Sequence, residues 1–263
     1  MALPKPKHLE PEYGAQFFDP SVASAYRFRP PYPEEAYTIL AGLIVDGPRV
    51  VLELGCGLGE IARRLAIQTD RVDAVEPSHA MLALARTLPG GERSNLQWYC
   101  CTAEEFAYVP GYGLVIAAES LHWMDWYRVL PAIRAALTPR GRLVVLDRRL
   151  DTVPWWRALQ PLIPQYSTNR DFQPYDLLDE LARRQLFHPE GRVTTAPVRF
   201  IQSVEDYIES WHSRNGFSRE RMSASRALEF DARVREIVRP YAQAGCLRYD
   251  VQVELAWGVP SSV

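Results

Sequence analysis

The pattern of apolar and polar positions is most regular in the middle of the chain. Apolar runs typical of buried strands occur at RVVLEL, RVDAVEP, NLQWYCC, GLVIAAES and RLVVLD, between Arg49 and Asp147. Segments with helical spacing of apolar residues separate them, for example EIARRLAIQ, HAMLALARTL and WYRVLPAIRAAL. Strands that alternate with helices of about ten residues indicate crossover connections and a parallel sheet covered on both faces.

The pattern differs on both sides of this region. Residues 1–14 are polar and contain prolines, which predicts a loose arm, and the segment RPPYP separates two predicted helices, VASAYRF and PEEAYTILAGLI. After Asp147, RVTTAPVRFIQ and LRYDVQVELAWGV alternate like strands and enclose about forty residues of helical character. We therefore predict an α/β fold with a Rossmann-like, seven-stranded, mostly parallel sheet and one antiparallel edge strand. Helices cover both faces, an N-terminal helical lid precedes the sheet, and a helical cap lies between the last two strands.

This pattern predicts one structural domain with three parts. Residues 1–45 form the arm and lid, residues 46–150 a ligand-binding core, and residues 151–263 the rest of the sheet with the cap at about 203–244. Hydrophobic residues make up 47% of the chain and charged residues 24%, as in ordinary globular proteins. Thirty basic and 32 acidic residues give a net charge of −2, which argues against binding to nucleic acid or to an anionic membrane.

The sequence has no signal for a membrane span, for secretion or for a zinc site. No apolar run approaches the roughly 20 residues that span a bilayer, and the N-terminus lacks the apolar core of a secretory signal. The four cysteines have no CxxC spacing and no nearby histidine at a zinc-like interval, so no metal site is predicted (Cys56, Cys100, Cys101, Cys246). We expect reduced cysteines in a cytoplasmic protein that is a monomer or a homodimer.

The segment VVLELGCGLGE places an acid and three glycines after the first predicted strand. The dinucleotide pattern GxGxxG requires a glycine at position 60, where this chain has Glu60, and a glutamate there disfavours a pyrophosphate at the helix N-terminus. The loop instead suits a cofactor without phosphates, whose cationic group meets Glu53. Glu76 ends the next strand, where an acid accepts hydrogen bonds from ribose hydroxyls. The alternative is that both acids only cap helices at strand ends.

Five ordered motifs between Phe18 and Asp147 carry a family resemblance. ELGCGLG, VEPSHAML, CTAEEF, AAESLHWMDW and LTPRGRLVVL resemble, in order and spacing, the motifs of class I S-adenosylmethionine-dependent methyltransferases. The chain is most similar to their small-molecule branch, which includes type 11 and trans-aconitate methyltransferase-like enzymes. The resemblance implies S-adenosylmethionine as cofactor, S-adenosylhomocysteine as product and residues 46–150 as the cofactor-binding core.

The resemblance also implies a set of cofactor-binding residues. The methionine part would lie along Gly55, Cys56 and Gly57, the ribose at Glu76, and the adenine beside the residues of the second and third motifs. The upstream YRFRPPYP resembles the lid of this branch, with Arg29 reaching the cofactor's carboxylate. The expected set is Tyr26, Arg29, Glu53, Gly55, Cys56, Gly57, Glu76, Pro77, Ser78, Met81, Thr102, Ala103, Glu104, Ala118, Glu119 and Trp123.

The reacting end is expected around residues 119–126, after the fourth strand. His122 is the candidate general base, and the alternative is that it only packs in the pocket wall. In the cap, Trp211, His212 and Arg214 are candidate contacts to the acceptor, although Trp211 also fits the buried stripe of an amphipathic helix. The charged pair Arg148-Arg149 is interpreted as a solvated face.

These observations predict methyl transfer from S-adenosylmethionine to a small organic molecule. Oxygen of a carboxylate or hydroxyl is the preferred acceptor, and carbon and nitrogen stay open. Two alternatives are an NAD-dependent oxidoreductase on a related fold and a methyltransferase-like subunit that binds the cofactor without turnover.

Overall fold

A computed structural model describes residues 4–149 and 153–262. Within these ranges eight strands form one sheet in the order β3-β2-β1-β4-β5-β8-β6, and β7 pairs with β8 beyond the end of β6. The strands are β1 Val50–Leu54, β2 Arg71–Val75, β3 Leu96–Tyr99, β4 Tyr112–Ala118, β5 Leu137–Arg149, β6 Gly191–Thr194, β7 Val198–Ser203 and β8 Cys246–Gly258. Strands β1 to β5 pair in parallel, which confirms the Rossmann-like α/β prediction.

The strand count and the antiparallel part differ from the prediction. The segment RVTTAPVRFIQ was expected to be one strand, but it is divided into β6 and β7 around Pro197, which has no N–H for a ladder hydrogen bond. Strand β8 is not an edge strand: it pairs with β5 on one side and with β6 and β7 on the other, each time antiparallel. The sheet therefore has eight strands instead of seven.

Helices lie on both faces of the sheet because successive strand residues point to opposite sides. Val51, Leu114 and Val144 pack under helices α3, α4 and α5, whereas Leu52, Val115 and Val145 pack under α6 and α9. The helices are α1 Pro11–Gly14, α2 Pro20–Tyr26, α3 Glu34–Gly42, α4 Glu60–Leu65, α5 His79–Thr87, α6 Trp126–Ala136, α7 Trp156–Leu159, α8 Leu162–Tyr166, α9 Leu177–Arg183, α10 Val204–Trp211 and α11 Ala224–Val238. None of the described helices is both long and apolar enough to cross a bilayer.

The lid and the cap enclose the carboxyl ends of the parallel strands. Helix α2 packs on α5, and the cap helices α10 and α11 share an aromatic core with α7, α8, β7 and β8. Trp155 is fully buried in that core and donates a hydrogen bond to the hydroxyl of Tyr207 (2.8 Å). The cap thus draws residues from 155–166 as well as from the predicted 203–244.

The N-terminal segment is not a loose arm over the residues that the structure describes. Lys7–Leu9 form a 3-10 turn, and His8 and Leu9 are buried. The ammonium group of Lys5 donates a hydrogen bond to the carbonyl of Met124 (3.0 Å). Residues 4–14 therefore form part of the wall above the sheet.

Gly59 gives a direct test of the turn between β1 and α4. Its φ is +67°, and a Cβ added there would lie 2.3 Å from the ring of Trp98. Gly59→Ala should lower the free energy of unfolding by about 2 to 4 kcal/mol, because left-handed backbone and overpacking each cost about 1 to 3 kcal/mol. Urea denaturation followed by circular dichroism measures this change.

Gly42→Ala is the matched control. Gly42 ends α3, and an added Cβ would meet nothing within 4 Å. Alanine there should leave stability unchanged or raise it by less than about 1 kcal/mol. Equal destabilisation by the two substitutions would contradict the described turn.

Candidate functional site

The loop between β1 and α4 is fixed between two neighbouring segments. The N–H groups of Gly55 and Cys56 donate to the carbonyl of Val75 at the end of β2 (2.8 and 3.0 Å). Ser120, after β4, donates from its hydroxyl to the carbonyl of Leu54 (2.6 Å). Gly55 has φ +70°, and a Cβ there would lie 2.5 Å from Cβ of Ser120. Only glycine allows this close approach of the loop to the end of β4.

A cavity of about 270 Å³ lies beside this loop, and we call it the glycine-loop cavity. Its wall combines three glutamates with apolar side chains and the lid helix α2, which suits a nucleoside without phosphates. Its walls include Phe17, Tyr26, Gly55, Glu76, Pro77, Met81, Thr102, Ala103, Glu104, Glu119, Ser120 and Trp123.

Glu76 is held in a fixed orientation at the end of β2. Its two carboxylate oxygens accept hydrogen bonds from the N–H of Gly57 and the N–H of Ser78, both at 2.9 Å. Burial raises the pKa of this carboxyl group above its ordinary value. Since a carboxylate has about four acceptor positions, lone pairs remain for two hydroxyl donors in the cavity.

The start of α4 is occupied by acidic side chains. The Glu53 carboxylate accepts a hydrogen bond from the N–H of Ala62 (2.8 Å), and burial raises its pKa to about 8. Glu60 accepts from the N–H of Tyr32 and from the hydroxyl of Tyr37 (2.8 and 2.9 Å). A phosphate at this helix end would meet two carboxyl groups instead of free N–H donors.

Glu119 is the centre of a buried ion-pair network at the end of β4. One oxygen, Oε2, accepts from Arg29 Nη1 and from Arg148 Nη1, both at 2.9 Å. The other, Oε1, accepts from the N–H of Arg148 (3.1 Å). Burial alone would raise the pKa of Glu119, but Arg148 and Arg29 lower it to about 2. Its φ of +51° is unusual for a residue with a side chain, which is a feature typical of functional sites.

Arg29 connects the lid to the cap. Its Nε donates to the hydroxyl of Ser213 (2.8 Å) and its Nη2 to the carbonyl of Ser213 (2.6 Å). Its Nη1 also donates to the hydroxyl of Tyr26 (3.0 Å), and the guanidinium lies 3.9 Å from the centre of the Tyr26 ring. The described residues use four of its five N–H donors, which leaves one for a ligand.

Arg148 is a site residue that the sequence analysis did not identify. Its side chain is 5% exposed, so the interpretation of Arg148-Arg149 as a solvated face is wrong for Arg148. The guanidinium stacks on Tyr32 at 3.7 Å and donates to Glu60 and to the carbonyl of Pro30. The signal in the sequence was its position at the carboxyl end of β5, because ligands bind at the carboxyl ends of parallel strands.

A second cavity, of about 340 Å³, lies between the sheet and the cap, and we call it the aromatic cavity. It shares Phe17, Glu119 and Trp123 with the glycine-loop cavity, so the two spaces meet at these residues. The indole N–H of Trp123 is buried, and it has no hydrogen-bond partner in the part of the chain that the structure describes. The wall includes His8, Arg29, His122, Asp147, Arg148, Trp156, Asn169, Tyr175, Trp211, Arg214, Asn215 and Phe217.

His122 lies in the wall of the aromatic cavity against Trp123, with ring centres 4.8 Å apart. Burial and the nearby Lys5 lower its pKa to about 3, and the negative charge of Glu119 offsets only part of this. An imidazole with so low a pKa is neutral at pH 7 but binds a proton weakly. The geometry therefore favours the packing alternative over a general base.

The three candidate residues of the cap have different environments. Trp211 and Arg214 line the aromatic cavity, with the guanidinium 4.1 Å from the Trp211 ring centre. Within residues 4–149 and 153–262 no acidic side chain forms an ion pair with Arg214. His212 is fully buried outside the cavity, and its ring nitrogens bond to Asp231 and to the carbonyl of Phe217 (both 2.7 Å). His212 is thus positioned to hold the cap together.

The remaining predicted residues lie around the loop. Glu53, Cys56 and Ala118 line a third cavity on the other side of Tyr26 and Arg29. Ser78 is buried and caps α5 by accepting from the N–H of Met81 (3.4 Å). Besides Arg148, the sequence analysis did not identify Phe17 and Asp147, which belong to none of the five motifs, and it included Ser120 only within the range 119–126.

Comparison with known proteins finds that the chain is similar to methyltransferases. Residues 51–141 match a family described as "Methyltransferase domain". An uncharacterized methyltransferase of Mycobacterium tuberculosis is 33% identical over 148 residues, which are 56% of this chain and 58% of that protein. A trans-aconitate 2-methyltransferase of Paracidovorax citrulli is 32% identical over 127 residues, 45% and 46% of the two chains. The match thus spans about half the length of these curated relatives.

Solved structures show the same fold. A putative type II methyltransferase from Anaeromyxobacter dehalogenans superimposes with a TM-score of 0.59 at 21% identity, covering 89% of this chain and 99% of the other.

Glu119 makes the stability of the protein depend on pH in a specific way. The folded-state pKa of about 2 lies below the ordinary value of 4.5, so the ion pairs stabilise fully above pH 4.5 and are lost toward pH 2. Glu119→Gln should lower the free energy of unfolding at pH 7 by up to about 3 kcal/mol, and the difference should vanish near pH 2. Urea denaturation at a series of pH values measures it.

Glu236→Gln provides the control, because Glu236 pairs with Arg233 on the exposed surface of α11. Exposed pairs contribute less than about 1 kcal/mol. A Glu119→Gln variant as stable at pH 7 as this control would contradict the network.

Proposed function

We propose that this chain, which carries a class I methyltransferase domain, transfers a methyl group from S-adenosylmethionine to an oxygen of a small organic acceptor. The observation that carries the proposal is the pair of cavities that meet at Glu119 and Trp123. One cavity has the groups that a nucleoside needs, and the other has an aromatic wall and a cation. The aromatic cavity lies on the side of the cap, so the cofactor and the methyl acceptor would each occupy a separate cavity.

The residues of the glycine-loop cavity fit the cofactor. Glu76 would accept from the ribose hydroxyls, and Pro77, Met81 and Ala103 would cover the adenine. The acids at the start of α4 are compatible with a cofactor that has no phosphate. Glu53 lines the third cavity and not the glycine-loop cavity, so its contact with the cofactor's amino group stays a prediction. The bound cofactor would supply a methyl group on positively charged sulfur, already activated for displacement.

The protein's own part is orientation and exclusion of water. We propose that Tyr26 and Arg29 hold the lid closed over the cofactor. Arg29 donates hydrogen bonds to Tyr26 in the lid, to Glu119 after β4 and to Ser213 in the cap, so it fixes the lid to both. The single remaining N–H is available to the cofactor's carboxylate. Phe17 and Trp123 separate the two cavities and would flank the path of the methyl group.

The aromatic cavity supports an acceptor that is flat, largely apolar and negatively charged. Trp156, Trp211 and Phe217 provide apolar surface, and Arg214 provides a planar cation without a protein carboxylate. The name of one relative, trans-aconitate 2-methyltransferase, is in keeping with an acid as acceptor. We therefore place a carboxylate or hydroxyl oxygen ahead of carbon and nitrogen.

Glu76→Gln tests the cofactor site. The amide cannot accept two hydroxyl donors as the carboxylate does, and loss of a charge-assisted hydrogen bond costs about 1.5 to 3 kcal/mol. Calorimetric titration should show S-adenosylhomocysteine binding about 10- to 100-fold more weakly than to the wild type. Glu92→Gln, at an exposed position, is the control and should bind like the wild type.

The same titration distinguishes the alternative cofactor. The wild type should bind S-adenosylhomocysteine and show no heat with NAD. Binding of NAD alone would overturn the proposed function and favour an oxidoreductase.

Turnover is tested with S-adenosylmethionine labelled in the methyl group and an extract of small metabolites. We expect labelled products enriched in organic acids, and loss of most of them with Arg214→Gln, which retains polarity but removes the charge. Arg219→Gln, in the cap but outside the aromatic cavity, should leave the product pattern unchanged. Absence of any product from a protein that binds S-adenosylhomocysteine would favour a non-catalytic binding subunit.

A further inference from the structure

Asp147 is an acid in the aromatic cavity that the interactions described above do not use. It follows the buried part of β5, and its carboxyl group lies in the cavity wall with His122 and Tyr175. Among the described residues, none donates a hydrogen bond to this carboxyl group or forms an ion pair with it. Asp147 is only partly buried, so its carboxyl group is open to a molecule in this cavity.

The position of Asp147 relative to the junction of the cavities follows from the strand register. Ala118 pairs with Leu146, and the N–H of Glu119 donates to the carbonyl of Leu146 (2.8 Å). Asp147 therefore follows the residue that pairs with the end of β4, and it lines the aromatic cavity, whose wall also includes Glu119.

The charged groups around Asp147 are mostly acidic. Glu119 follows the neighbouring strand β4, Glu254 is opposite on β8, and Asp176 precedes α9. The guanidinium of Arg148, next in the chain, points to Glu119, Glu60 and Tyr32 instead. Burial, with the three acids, raises the pKa of Asp147 to about 7. Among the described residues, the wall of the cavity that holds Asp147 also includes the titratable side chains of His8, His122 and Tyr175 and the guanidinium groups of Arg29 and Arg214.

We propose that Asp147 is the general base of the methyl transfer, acting on the hydroxyl group of an acceptor whose anionic group binds Arg214. This inference rests on the proposed function and specifies its acceptor as a hydroxylated aromatic or similarly flat acid. Asp147 and Arg214 lie in the same cavity without pairing with each other, which leaves space for a molecule with both groups.

The reaction balances with groups on these residues. The acceptor oxygen forms a bond to the methyl carbon while the carbon–sulfur bond breaks and its electron pair stays on sulfur. The hydroxyl proton passes to the Asp147 carboxylate, which later releases it to water. The products are the methyl ether, the neutral thioether S-adenosylhomocysteine and one proton.

The other candidates at the junction are poor bases. Glu119 is ionised, but its oxygens already accept three hydrogen bonds from Arg29 and Arg148, and its pKa is about 2. The pKa of His122 is about 3. A base is most effective when its pKa is close to the working pH, which among these three groups is true of Asp147.

The first experiment reads the ionisation of Asp147 without any turnover. Carbon-13 NMR of protein labelled at aspartate carboxyl carbons, with Asp147→Asn to assign the signal, should show a midpoint near pH 7. Asp147→Asn should also raise the melting temperature at pH 8.5 and change it little at pH 4. The sign follows because a raised pKa means that the ionised carboxylate destabilises the folded state, fully above pH 7. Asp179→Asn, at an exposed position of α9, should change neither quantity.

The second experiment measures methyl transfer to 4-hydroxybenzoate and 3,4-dihydroxybenzoate, with benzoate as the acid that lacks a hydroxyl group. Wild-type turnover should rise with pH through about 7, and Asp147→Asn should lose about 10²- to 10⁴-fold in kcat and this pH dependence. The KM for the hydroxybenzoates should change little. Asp179→Asn should behave like the wild type.

Three results would overturn the inference. One is an Asp147 midpoint below pH 5, and another is an Asp147→Asn variant with wild-type kcat. The third is a wild type that binds S-adenosylhomocysteine but methylates no hydroxybenzoate, which leaves the proposed function intact. Failure to bind S-adenosylhomocysteine is a separate result, and it would defeat the proposed function itself.

Discussion

The placement of Glu119 between two arginines is the interaction on which the enclosed site depends. Glu119 extends from the sheet, Arg29 comes from the lid and also bonds to Ser213 of the cap, and Arg148 reaches from β5 to the carbonyl of Pro30. Three parts of the chain that are far apart in sequence are thereby joined through one carboxylate. Removal of one partner of a buried ion pair typically costs about 3 to 5 kcal/mol, because the other charge stays desolvated. The network therefore connects the sheet, the lid and the cap, unlike an exposed ion pair on the surface.

Much of the fold followed from local pattern. The alternation of RVVLEL, RVDAVEP and GLVIAAES with helical segments identified the parallel sheet, because both faces of such strands are buried and their apolar runs are continuous. The three glycines and Glu76 identified the cofactor loop from the sequence. The glycines are needed for positive φ angles, which are a local property of the backbone. The division of β6 from β7 at Pro197 was not predicted, because alternation continues on both sides of the proline.

The cap and the charges of the site depend on contacts between distant segments. The sequence pattern of Arg148-Arg149 is that of an exposed pair, and only the stacking on Tyr32 and the contact with Glu119 distinguish the first arginine from the second. His212 was predicted to contact the acceptor but lies outside the cavity. Its neighbours Trp211 and Arg214 line the aromatic cavity, whereas the His212 ring forms a hydrogen bond with Asp231. A single sequence does not show which distant side chains, such as His212 and Asp231, contact each other. The interior of the cap was therefore the least predictable part.

The wall shared by the two cavities has a thermodynamic consequence. Phe17 and Trp123 face both spaces, and Phe17 belongs to an N-terminal segment whose described residues pack above the sheet. A molecule that shifts either ring alters the shape of both cavities, so occupancy of one changes the affinity of the other. Linkage of this kind is reciprocal, and each ligand then strengthens or weakens the other by the same factor. Phe17 and Trp123 would in this way couple the two binding equilibria through one shared wall.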